Sequence, residues 1–252
     1  MSLFDLTGRK AIVTGGTRGL GRGMAEALLD AGAEVLIVGA SESAVTVAAE
    51  LTAQGQQCQG LAIDLSDTDA RSTGFAKALH MLGGQLDILV NAAGVQKRHQ
   101  SEDFPVSEFE EVLSVNLTAV FELSQLAGRV MLQQGHGKII NIASLLSFFG
   151  GYTVPAYAAS KGGVMQLTKA LSNEWAAKGI NVNAIAPGYM ATDMNTALLA
   201  DEKRNAEITA RIPAQRWGTE DDMKGPLLFL ASDASNYVHG AILPVDGGYL
   251  GR

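Results

Sequence analysis

Three residue types with complementary chemistry fall within Ser144–Lys161 (SLLSFFGGYTVPAYAASK): a serine, a tyrosine and a lysine. An unperturbed phenol titrates near ~10, too high for a base at neutral pH, and an ammonium beside it stabilises the phenolate and lowers that value. A phenol tuned in this way can exchange a proton with a substrate. The hydroxyl of Ser144 can hold a carbonyl or alcohol oxygen against Tyr157. A bare Tyr-x-x-x-Lys is common, however, and on its own describes a half-buried tyrosine beside a solvated lysine. The surroundings must decide between these readings.

Those surroundings are regular. Pro155 suits the first turn of a helix, and apolar positions recur every three to four residues through YAASKGGVMQLTKALSNEWAAK, which places Tyr157 and Lys161 on one face. Ser144 ends the buried run GKIINIAS. Upstream and downstream, apolar runs of strand length alternate with helical patterns. KAIVTGG precedes a helix from about Leu20 to Ala31, and EVLIVGA precedes one from about Glu42 to Gln54. GLAIDL, LDILVNAAG, INVNAIAPG and GAILPVDGG continue the series. Continuous apolar strands imply burial on both faces. The chain, 1–252, is therefore expected to be one α/β domain, a doubly wound parallel sheet with helices on both sides.

The first strand-to-helix turn, TGGTRGLG, carries Gly15, Thr17, Arg18, Gly19, Leu20 and Gly21. Missing side chains there let backbone amides and a helix N-terminus approach a pyrophosphate, so the turn predicts a dinucleotide site. An acid at the end of the second strand would grip the adenosine ribose of NAD. Gly39-Ala40-Ser41 offers none, and Arg18 with Ser41 can meet a 2′-phosphate, which tilts the expectation from NAD toward NADP. Asp64, followed by Leu65, can accept from an adenine amino group or cap the next helix. Asn91-Ala92-Ala93-Gly94 leaves room for a ligand. Asn116 interrupts an apolar helical pattern, either to bond a backbone group or to hold a water. Pro187-Gly188 closes the sixth strand and leads through Met190 and Thr192 into a polar stretch, about 189–215, expected to be a substrate lid.

Arg98 and Arg216 are candidates for an anionic substrate group, with Lys97 and His99 weaker. A net charge of −7 without a basic tract argues against nucleic acid or an anionic membrane as partner. The four histidines show no ligand spacing, so no metal is expected. Cys58 is the one cysteine, and MSLFDLTGRK lacks the pattern of a leader, which together predict a cytoplasmic protein.

These motifs together resemble the short-chain dehydrogenase/reductase family over essentially the whole chain. TGGTRGLG matches its glycine loop, Asp64 its adenine-site acid and NAAG its Asn-Asn-Ala-Gly motif, with one departure at Ala92. Asn116, Ser144, Tyr157 and Lys161 match its catalytic four. The resemblance implies a seven-stranded sheet in the order 3-2-1-4-5-6-7, an NAD(P)-dependent oxidoreductase, and a homotetramer paired through the Tyr157 helix and the last strand. It implies that Tyr157 is the acid/base, that Lys161 lowers its pKa and binds the nicotinamide ribose, and that Ser144 orients the substrate. Asn116 supports a water relay, and Thr192 holds the carboxamide. The second half (GGYTVPAY, NEWA, RIPAQRWG) is similar to the family's sugar-acid branch, whose substrates are 2-deoxy-D-gluconate and 2-dehydro-3-deoxy-D-gluconate. The alternatives are a 3-oxoacyl-[acyl-carrier-protein] reductase and, in another class, an NAD(P)-binding sensor without turnover.

Overall fold

The computed structural model describes residues 3–252, the side chain of Met194 aside. The apolar runs form β1 (Lys10–Thr14), β2 (Glu34–Gly39), β3 (Cys58–Ala62), β4 (Ile88–Asn91), β5 (Gly137–Ile142), β6 (Ile180–Pro187) and β7 (Ile242–Val245). They pair in parallel as one seven-stranded sheet, β3-β2-β1-β4-β5-β6-β7.

Successive strand residues feed opposite cores. Val13, Ile37, Val90 and Ile140 pack on one side, and Ile12, Leu36, Leu89 and Ile139 on the other. This double burial is why the strands read as unbroken apolar runs rather than alternating ones. The helices α1 (Gly19–Asp30), α2 (Ser43–Ala53), α3 (Thr68–Met81), α4 (Val106–Leu113), α5 (Ala119–Gln134), α6 (Pro155–Trp175), α7 (Thr196–Ala200), α8 (Glu202–Arg211) and α9 (Asp221–Ala231) connect them. The strand order reverses between β1 and β4, and in such sheets the crevice at the carboxyl ends beside that switch is where ligands bind.

Two local features differ from the simplest reading. The helical pattern around Asn116 is broken into α4 and α5 by a π-turn over Ser114–Thr118, with Asn116 fully buried inside it. A single wide turn of this kind re-aims a side chain without ending the helix. The second concerns Asp64. The cap of α3 is Asp67, which accepts from the amides of Asp69 and Ala70. Asp64 instead accepts from the amide and hydroxyl of Ser66, at 2.9 and 2.7 Å, and these two bonds hold its carboxyl below the usual range. The helix-capping alternative for Asp64 is thereby excluded.

Candidate active site at the carboxyl edge of the sheet

The geometry begins with glycine. Gly15 and Gly19 have φ of +68° and +50°, in the left-handed region where a side chain is disfavoured. A Cβ on Gly15 would lie 2.8 Å from the Ala93 Cα, and one on Gly21 only 2.1 Å from the Gly15 carbonyl oxygen. The loop therefore folds tightly over the end of β4 and leads straight into α1, whose N-terminus carries no side-chain cap. Thr14 Oγ1 accepts from the amides of Ala92 and Ala93 at 3.1 Å and fixes the NAAG turn beside the loop. A cradle that admits no Cβ, opening on an uncapped helix start, fits the pyrophosphate of a dinucleotide.

Around that cradle the other candidates divide by what they expose. Arg18 and Ser41 are exposed. The Arg18 guanidinium reaches Asp193 at 3.4 Å across the rim of the cleft, and Gly19 faces the Thr192 methyl at the same rim. Leu65 and Met190 are buried in the two cores, and Leu20 packs against one, so these side chains serve packing. Asn91 donates to Ser124 and Asn141 beneath the cleft, while its Oδ1 is buried without a protein partner among the described residues. Gly188 lies against Asp246 after Pro187, at the carboxyl end of β6.

The proposed chemistry converges at the neighbouring strand ends. Ser144 follows β5 and caps the short turn Leu145–Ser147, whose Ser147 hydroxyl donates to the Lys161 carbonyl at 2.7 Å. Tyr157 lies in the first turn of α6, and the Ser144 side chain acts on its phenol. Lys161 is 4% exposed; its Nζ donates to the Ile142 carbonyl at 2.6 Å and stands 5.6 Å from the centroid of the Tyr157 ring. Asn116 uses both ends of its carboxamide on Val95, accepting from the amide at 2.8 Å and donating to the carbonyl at 2.9 Å. Asn116 and Lys161 meet beside Gly94, where a Cβ would lie in ordinary contact, 3.4 Å from the Asn116 Oδ1 and 3.9 Å from the Lys161 Nζ.

The electrostatics differ from expectation. Burial raises the Tyr157 phenol above its ordinary value, with the Ser144 side chain opposing it, and burial pushes Lys161 down to about 8. The anticipated lowering of the phenol by the ammonium does not hold here, because desolvation dominates and Nζ is turned to a backbone carbonyl.

The cationic candidates also separate. Arg216 is committed to Asp222 through two bonds of 2.7 Å and holds that carboxyl well below its usual range. Arg216, a candidate for the anionic substrate group, is thus engaged by a carboxylate of α9. Lys97 pairs with Glu111 and His99 with Glu108. Arg98 is exposed and meets only Gln96, at 3.3 Å. Sequence reasoning did not weigh Arg211, which lies 4.8 Å from the Tyr249 ring and lines a cavity of about 330 Å³ with Tyr189, Arg204, Glu207 and Ile208. A surface arginine carries no pattern that would have singled it out. A separate cavity of about 320 Å³ lies at the opposite, amino edge, where Arg9 and His136 pair with Asp87.

The comparisons agree with this geometry. Residues 15–250 match the family model described as enoyl-(acyl carrier protein) reductase. A 2-dehydro-3-deoxy-D-gluconate 5-dehydrogenase of Bacillus subtilis is 50% identical over 99% of this chain and 97% of its own. The chain belongs to the short-chain dehydrogenase/reductase family. A second relative of that name, from Escherichia coli, is 47% identical over 100% of this chain and 99% of its own. A solved family member, a gluconate 5-dehydrogenase from Burkholderia cenocepacia in complex with NADP and tartrate, superimposes with a TM-score of 0.95. It is 38% identical over 99% of this chain and 98% of its own. As a short-chain dehydrogenase/reductase, this protein is an NAD(P)-dependent oxidoreductase acting on CH–OH groups.

Proposed function

We propose that the protein interconverts a secondary alcohol and a ketone on a sugar acid, 2-dehydro-3-deoxy-D-gluconate or 2-deoxy-D-gluconate, with NADP preferred over NAD. The observation that carries the substrate class is the full-length identity of 47–50% to two dehydrogenases of that name. The exposed Arg18 and Ser41, with no acid at residues 39–41, support the NADP preference. A bound nicotinamide would supply the hydride chemistry. Gly15, Gly19 and Gly21 would hold the pyrophosphate, Asp64 the adenine, Lys161 the nicotinamide ribose and Thr192 the carboxamide.

The chain's own residues do the rest. Ser144 orients the substrate oxygen and Tyr157 exchanges the proton with it. A phenol raised by burial is protonated at neutral pH, so in ketone reduction it donates without a prior ionisation. Asn116 holds the Val95 strap against Lys161, and residues 189–215 act as the lid. With Arg216 taken, the substrate carboxylate falls to Arg98 or Arg211. We also place the protein in the cytoplasm as a homotetramer. Among the described residues no helix is long and apolar enough to cross a membrane.

The second reading, a reductase of 3-oxoacyl thioesters on acyl carrier protein, draws on the description of the matched family model. An acidic carrier protein is a poor electrostatic partner for a chain of net charge −7. The test is a panel of keto sugar acids and 3-oxoacyl thioesters, each with NADH and NADPH. The expected result is turnover of a keto sugar acid, faster with NADPH. Reduction of thioesters alone would reverse the proposal, and tight cofactor binding without any turnover would favour the sensor.

A further inference from the structure

We propose that Arg71 is a positioning residue that ties the far end of the cleft, at Asp64–Ser66, to Asn116, so that filling that end firms the placement of Asn116. The inference rests on the reading of the cleft as a dinucleotide site. Arg71 is 1% exposed and among the largest fully buried side chains. Its α3 stripe is otherwise apolar, continuing through Phe75 and Ala78. A well-packed apolar residue in such a place is often as stable as a buried charge, so packing alone does not call for a guanidinium.

The guanidinium is instead shared between two turns. Nε donates to the Leu65 carbonyl at 2.7 Å and Nη2 to the Ser66 carbonyl at 3.2 Å, both next to Asp64. Nη2 also reaches the Ser114 carbonyl at 3.3 Å and the Ser114 hydroxyl, and Nη1 pairs with Glu122 at 3.0 Å. Ser114 is the first residue of the π-turn that carries Asn116. From Asn116 the contacts continue to Val95 and, at 3.3 Å, to Ser160, whose hydroxyl donates to the Tyr157 carbonyl at 2.8 Å. A planar five-donor fork fixes the spacing of two turns, which a lysine with its single nitrogen cannot do. Movement of the Asp64 turn on ligand binding is therefore passed to the π-turn.

The test uses the adenosine halves of the two cofactors, 5′-AMP and adenosine 2′,5′-bisphosphate, as probes that end before the nicotinamide ribose and so do not reach Asn116. Hydrogen exchange is followed at residues 114–118 in the wild type, in Arg71→Lys and in Ser114→Ala, which keeps the Glu122 pair and the fold should Arg71→Lys fail. In the wild type, the probe that binds should slow exchange there at least about threefold. Arg71→Lys should bind the probe without that slowing; Ser114→Ala, which keeps the Arg71 bond to the Ser114 carbonyl but loses the hydroxyl's bonds to Arg71 and to the Ser66 carbonyl, should show less of it and should lower kcat at least about fivefold with little change in melting temperature. Binding without slowing in the wild type, or equal slowing in the variants, would overturn the role of Arg71 alone. Failure of both probes to bind the wild type would overturn the dinucleotide reading and this inference with it.

Discussion

At the scale of single residues, Lys161 exposes a conflict between stability and chemistry. Its ammonium is buried without a carboxylate among the described residues, and only the Ile142 carbonyl accepts from it. The drop from 10.5 to about 8 amounts to about 3 kcal/mol between the charged and neutral forms. The folded pKa lies below the unfolded one, so the cost is fully present below pH 8. It is relieved as pH rises from about 8 to about 10.5, where the unfolded chain holds the proton and the folded one does not. Lys161→Met should therefore stabilise the fold at pH 7, by up to about 3 kcal/mol less about 1 for the lost hydrogen bond, and so raise the melting temperature there, and the gain should fade toward pH 10.5. Thermal melts across that range check it, and a variant less stable than the parent at pH 7 would show that the buried ammonium is compensated. The identity of Lys161 was legible from its spacing to Tyr157. Its electrostatics were not, because they depend on burial by distant strands and on a carbonyl of β5.

At the scale of elements, the glycine loop and α6 were readable because their signals are local. Glycine spacing encodes close approach, and a proline followed by a 3.6-residue period encodes a helix start. The π-turn left no such mark, since it differs from an α-helix by one hydrogen-bond step that no residue type records. Arg71 was hidden for a related reason, a charge within a helix being ordinarily solvated, although its place in a stripe with Phe75 and Ala78 carried the hint. Local crowding also sets a prediction. A methyl at Gly21 would need to sit 2.1 Å from the backbone oxygen of Gly15, which no rotamer change relieves. Gly21→Ala should weaken cofactor binding at least about tenfold by calorimetry, by displacing the helix start that faces the phosphates. Unchanged affinity would mean that the pyrophosphate is held elsewhere.

At the scale of the molecule, the parallel sheet brings residues far apart in the chain to one edge: Gly15 after β1, Asp64 after β3, Gly94 after β4, Ser144 after β5 and Gly188 after β6. The fold was legible because seven apolar runs and their spacing leave few ways to bury both faces. The pairing of Arg216 with Asp222 and the stacking of Arg211 on Tyr249 were not, because they depend on the three-dimensional course of the segment after β6. The proposed homotetramer belongs to the same scale. β7 is an edge strand whose residues are only partly covered, and Phe121 and Leu132 of α5 are exposed. Light scattering after gel filtration should give the mass of four chains, and a monomer at micromolar concentration would refute that assembly. In the proposed mechanism the edge-wide arrangement acts through one proton, which Tyr157 exchanges with the substrate oxygen. The most direct test is kcat of Tyr157→Phe beside the parent, with NADPH and 2-dehydro-3-deoxy-D-gluconate's keto partner as substrates and cofactor affinity measured in parallel. A fall of at least about 100-fold with binding retained is the expected result, and turnover near that of the parent would contradict the account.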